Sequence, residues 1–96
     1  MVKCMLKVLM DGIKDAEMMI DYAYQAHDMD NSEMKTWFTN HATKRTEMVE
    51  SDFAFIKNKL GMAEKIRNGD VIAEALYDHL DDQVKSLKAD LLELGR

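Results

Sequence analysis

The chain has 96 residues, with no proline and one cysteine, the length of a single domain whose core is either compactly filled or completed by a partner. Apolar residues at 47% and charged residues at 32% exclude a disordered chain and fit amphipathic helices. A net charge of -5 excludes a nucleic-acid groove, which needs clustered Lys and Arg, and favours a basic partner or none.

Without proline, nothing interrupts a helix once it has begun. The opening MVKCMLKVLM is broken by Lys3 and Lys7 and runs into Asp11, so it reads as neither a signal peptide nor a membrane span, and the expected compartment is the cytoplasm. Cys4, with no second cysteine to pair with, reads as a small apolar residue near a helix start. Leu6, Leu9, Ile13, Ala16, Ile20, Ala23 and His27 recur at steps of three and four and predict a helix over residues 3–29 with one apolar stripe.

The run DMDNSE ends that helix, and Asp30 with Glu33 is expected to form a capping box for the next one. The second helix is predicted over 31–60, with Met34, Phe38, Ala42, Val49, Ile56 and Leu60 on one face and Gly61 taking the left-handed turn after it. Residues 62–70 read as a loop with one helical turn at MAEKI. Asp70 then caps a third long helix over 71–94, whose stripe is Ala73, Leu76, Leu80, Val84, Leu87, Leu91 and Leu94, closed by Gly95. No repeat or linker divides the chain. The expectation is one all-α domain over residues 1–96, three helices in an antiparallel bundle that pairs with a second copy.

On a wheel of about 100° per residue, His41, Arg45 and Asp52 fall on the face of the second helix that carries Phe38, Val49 and Ile56. A buried, unpartnered arginine costs on the order of 3–5 kcal/mol, so a counter-charge is needed. The short connection places Arg45 opposite Ala16 and Glu17, which makes Glu17 the expected partner and lets Asp52 share the guanidinium. The other placement, with the arginine stem lying along the core edge and its head in water, stays open.

The stretch from Glu17 to Tyr24, a glutamate followed seven residues later by a tyrosine with Ala23 and Ala26 beside it, resembles the first helix of the ferritin-like, rubrerythrin-type helical hairpins. It is similar also to short ferritin-like proteins carried by phages and prophages. The resemblance covers about residues 5–60. It implies a glutamate facing a Glu-x-x-His motif around a di-iron or di-manganese centre, and it lays Glu17 on the first ligand, Arg45 on the motif glutamate and Met48 on the motif histidine. Two ligand positions thus depart from the family, and helix three, with YDHLDDQ, has no Glu-x-x-His. On this reading Arg45 supplies to Glu17 the charge that a metal would bring, its planar fork suiting a carboxylate, and no cofactor or metal is expected.

His27, His41 and His79 form no ligand pair at helical spacing and are expected to pack or to cap, with a metal site from His27, His41 and Glu17 as the alternative. No nucleophile has a base near it in sequence, and no glycine-rich phosphate loop occurs, so no catalytic residue is assigned. Of the nine methionines, Met5, Met34 and Met48 read as core filler. Met18, Tyr22 and Met29 lie nearly opposite the core stripe of helix one and imply a second cover, either the third helix or another chain. Asp11 and Asp15 border that surface. The functional expectation is a non-enzymatic, acidic protein-binding module that uses Met18, Tyr22, Met29, Asp11 and Asp15. A di-metal ferritin-like protein and a structural subunit of a homo-oligomer are the alternatives.

Overall fold

A computed structural model describes residues 2–59 and 61–95, with side chains from residue 5 onwards. The side chain of Cys4, and Leu60, lie outside the described residues. The described residues are all-helical, with four helices in chain order: α1 (Val2–Asp28), α2 (Ser32–Lys59), α3 (Met62–Arg67) and α4 (Val71–Leu94). The expected turn at MAEKI is thus α3, a helix of six residues.

The expected stripe of α1 is buried from Leu9 through Ile13, Ala16, Ile20 and Ala23, and Ala26 joins it. Its ends differ, since Leu6 is half-buried and His27 is exposed. On α4 the prediction holds along the helix, with Ala73, Leu80, Val84, Leu87 and Leu94 buried and Leu76 and Leu91 half-buried. On α2 the buried face is Ala42, Thr46, Val49, Phe53 and Ile56, and Met34 and Met48, expected in the core, are 44% and 55% exposed. Thr46 tolerates burial because its hydroxyl donates to the Ala42 carbonyl at 2.8 Å, so no hydrogen-bonding group is left unpaired.

The helix ends explain where the chain turns. The Asn31 N–H donates to the Ala26 carbonyl at 2.9 Å and the Asp30 N–H to the His27 carbonyl at 3.0 Å, the paired bonds of a Schellman ending. Asp30 occupies its left-handed position with φ 56°, a conformation that Asp tolerates better than most side chains. That role prevents Asp30 from capping α2. Asn31 caps instead, its Oδ1 accepting from the Met34 N–H at 3.1 Å, which corrects the expected capping box. Gly61 is left-handed as expected, with φ 81°, and Asp70 caps α4 by accepting from the Ala73 N–H at 3.0 Å. Gly95 is not left-handed but right-handed helical, with φ -75°, so α4 ends without the glycine turn.

The α1–α2 pair is the tightest element of the fold. A Cβ built on Gly12 would lie 3.0 Å from Val49 Cγ2, and the rings of Tyr22 and Phe38 lie 5.3 Å apart. Later residues of α1 therefore meet earlier residues of α2. Against this pair α4 contributes Tyr77, 5.2 Å from the Phe53 ring, and Lys88, whose Nζ lies 3.2 Å from a Glu50 carboxylate oxygen. Farther on, Asp90 and Glu93 come near Tyr24 of α1. The Cα envelope measures 51 × 21 × 15 Å, thin enough that any hairpin face which α4 does not cover meets solvent.

Two expectations test this packing. Gly12→Ala exchanges a helix-propensity gain of about 1 kcal/mol against the 3.0 Å approach to Val49, so denaturant unfolding is expected to show little net change. In a Val49→Ala background the same substitution is expected to stabilise by about 1 kcal/mol relative to Val49→Ala alone; equal gains in both backgrounds would mean that the helices are not in contact there. For Tyr24, partial burial first, and then the carboxylates of Glu93 and Asp90, raise the phenol above its ordinary 10.0. Because the folded value is raised, the fold favours the protonated phenol. This contribution is complete below pH 10 and is lost as pH rises through the folded value. Ultraviolet titration should show a late-ionising phenol that Tyr24→Phe removes and that Asp90→Asn with Glu93→Gln shifts part of the way back.

Candidate functional site

Arg45, expected in a buried pair, is exposed, and so is Glu17, while Asp52 is half-buried. The ion pairs among the described residues are Lys85 with Asp81 at 2.8 Å and Lys88 with Glu50 at 3.2 Å, so Glu17, Arg45 and Asp52 do not form the expected buried cluster. The position in the core belongs to Thr46, and Arg45, about 100° before it, falls at the edge of the α1–α2 seam. Glu17 lies about 200° from Asp15 around α1, and it is Asp15 that shares a groove with Arg45. Leaving the guanidinium in water avoids the desolvation that a buried pair would have to overcome.

That groove, about 220 Å³, runs over Gly12 and Val49 and is bordered by Asp11, Asp15, Arg45 and Asp52 with Val8 and Met48. Asp11 and Asp15, expected at the rim of a binding surface, thus share one groove with Arg45 and Asp52. At the hairpin turn the same edge becomes aromatic. Tyr22 packs on Phe38 at 5.3 Å, Phe38 meets Trp37 edge-on at 5.0 Å, and Trp37 stacks on His41 at 4.0 Å. A recess of about 140 Å³ opens there between Tyr22, Met29, Met34 and Phe38.

Tyr22 and Tyr24 show why α4 does not cover this edge. Two residues apart, they diverge by about 200°; Tyr24 approaches Asp90 and Glu93 of α4, while Tyr22 lies on Phe38 of α2. Met18, Tyr22 and Met29 share a face and are 46%, 40% and 76% exposed, as expected for residues off the core stripe. On α2, Trp37, Met48 and Phe55 fall within about 20° of one direction and are 50%, 55% and 44% exposed. The outer edge of the hairpin is therefore an apolar strip with aromatic residues at the turn and a charged groove farther along.

Trp37, Phe55 and the aromatic contacts are not among the residues expected from the sequence. The register that set Arg45 opposite Ala16 also sets Tyr22 opposite Phe38, and Trp37 with His41 has the i, i+4 spacing of helix neighbours, so the signal was present.

The histidines are dispersed. His27 is exposed, its Nδ1 3.3 Å from Lys35 Nζ, His41 is half-buried against Trp37, and His79 is exposed on α4. Among the described residues no three His, Cys, Asp or Glu side chains converge as a metal site would require, so His27, His41 and Glu17 are not brought together. No described helix is long and apolar enough to cross a membrane. Comparison of the chain with protein-family models, curated proteins and solved structures gives no match.

A surface Arg45 has a measurable consequence. Arg45→Gln is expected to change unfolding free energy by less than about 0.5 kcal/mol, as surface substitutions do. A loss of about 3–5 kcal/mol in chemical denaturation would indicate a buried pair.

Proposed function

We propose that the chain is a non-enzymatic, acidic helical module that acts in the cytoplasm through protein–protein contacts. Its three long helices, α1, α2 and α4, run in antiparallel succession, and the outer edge of the α1–α2 hairpin is the surface that another protein chain covers. The observation that carries this reading is the exposed run of Trp37, Met48 and Phe55 on α2 beside Met18, Tyr22 and Met29 on α1. A domain in water rarely gathers this many large apolar side chains on one exposed edge unless a partner takes them up. Aromatic residues and methionine are the side chains enriched in such contacts.

In this reading the hairpin keeps a ferritin-like helix pairing in which Gly12, Ala16, Ala23 and Ala42 bring the helices together and Arg45 serves the surface. The alternative of a di-metal protein with ligands from Glu17, His27 and His41 has no support in their placement, since no three such side chains converge among the described residues. A structural homo-oligomer would use the same strip and would form a stable assembly by itself.

The test uses Trp37→Glu with Met48→Glu, and Leu92→Glu on α4 as a control, since Leu92 is 65% exposed and away from the strip. Capture from an extract of the native cells is expected to retain a defined polypeptide with the wild type and with Leu92→Glu, and to lose it with the double variant, circular dichroism being unchanged. Capture indifferent to the double variant would remove the strip from the function. A large stable assembly of the wild type alone, dispersed by the double variant, would favour the structural subunit.

A further inference from the structure

The strip and its groove differ in chemistry, and the difference bears on what covers them. We propose that the occupant is an amphipathic helix of another protein with Lys or Arg beside its apolar stripe, and not a second copy of this chain. The inference rests on the binding reading above and names the partner's class.

The groove between α1 and α2 carries Asp11, Asp15 and Asp52 against Arg45, three negative charges and one positive, a balance of -2. The chain as a whole is negative as well, at -5. A second copy laid face to face would set -2 against -2 across an apolar seam, where repulsion is least screened. A basic helix removes that repulsion, its cations meeting the carboxylates at the rim while its apolar stripe covers Met48 and the aromatic turn. Arg45, at mid-length of α2 and the one cation lining the groove, repels a partner cation there and so sets register, a common use of a like charge at an interface.

The dimensions agree with a helical occupant. From Val8 to Met29 the edge runs along α1 for about 32 Å at 1.5 Å per residue, which an amphipathic helix of about 20 residues would span in the helix-in-groove mode. Exposed methionines along the edge, Met18, Met29 and Met48, let the surface adapt to the partner's side chains.

The experiment uses two designed helical peptides of about 20 residues with the same leucine stripe, one flanked by lysines and one by glutamates, and reads the emission of Trp37, the chain's one tryptophan. The lysine peptide is expected to blue-shift Trp37 emission and to bind at least about tenfold more tightly than the glutamate peptide, with an affinity that falls as salt rises. Combined Asp11→Asn, Asp15→Asn and Asp52→Asn should weaken the lysine peptide by about tenfold, as three solvent-facing ion pairs would, and flatten its salt dependence. Asp82→Asn on α4 should leave binding unchanged. Equal binding of the two peptides, no binding of either, or a wild-type dimer that Met48→Glu dissolves and that excludes the lysine peptide would overturn the inference. The binding reading falls separately, on the capture result with Trp37→Glu and Met48→Glu.

Discussion

The structure depends on how closely α1 and α2 approach. At Gly12 no side chain separates the α1 backbone from Val49, and a Cβ there would lie 3.0 Å from its methyl group. The fully buried Ala16, Ala23 and Ala42 continue the seam with side chains too small to hold the helices apart. Helices pack at distances set by the residues between them. Small residues at these points let the helices come close, while Leu9, Ile13, Ile20, Val49 and Ile56 fill the core beside them.

The edges then have different fates. On one, α4 supplies Leu80, Val84 and Leu87 to the common core, sets Tyr77 on Phe53 and ties Lys88 to Glu50. On the other, Tyr22, Phe38, Trp37 and His41 pack in a chain of ring contacts, and Met48 and Phe55 meet solvent. With one long helix left to cover a hairpin that has two edges, one edge stays open. Charge follows the same division. Arg45, Asp11, Asp15 and Asp52 all belong to the open edge, where water screens them and a partner can reach them.

Much of this was legible in the sequence. The stripes of α1 and α4 are buried nearly as periodicity predicts, because over most of those helices apolar residues and the core direction coincide. Asp70 and Gly61 act as their chemistry suggests, since each answers a local demand, for an N-cap acceptor and for a left-handed φ. On α2 the pattern is ambiguous, because Phe38, Val49 and Ile56 are shared by two overlapping stripes, one through Arg45 and Asp52 and one through Thr46 and Phe53. Choosing between them decides whether a cation or a hydroxyl is buried. The structure chooses the hydroxyl, which hydrogen-bonds to its own helix at Ala42 and needs no partner. Asn31 takes the capping role expected of Asp30, as ending α1 with a left-handed residue takes Asp30 out of reach of the α2 amides.

The sequence by itself determined the helical class, the helix limits to within about two residues, the core faces of α1 and α4, and an apolar second surface on α1 at Met18, Tyr22 and Met29. These follow from local rules of spacing, propensity and capping. Only the tertiary structure decided which edge of the hairpin α4 covers, that Arg45 and Glu17 stand on different edges, and that Trp37, Phe38 and Tyr22 form one aromatic group. Those outcomes depend on distances between residues remote in the chain, and on the seam at Gly12 that sets them, which one-dimensional periodicity does not encode.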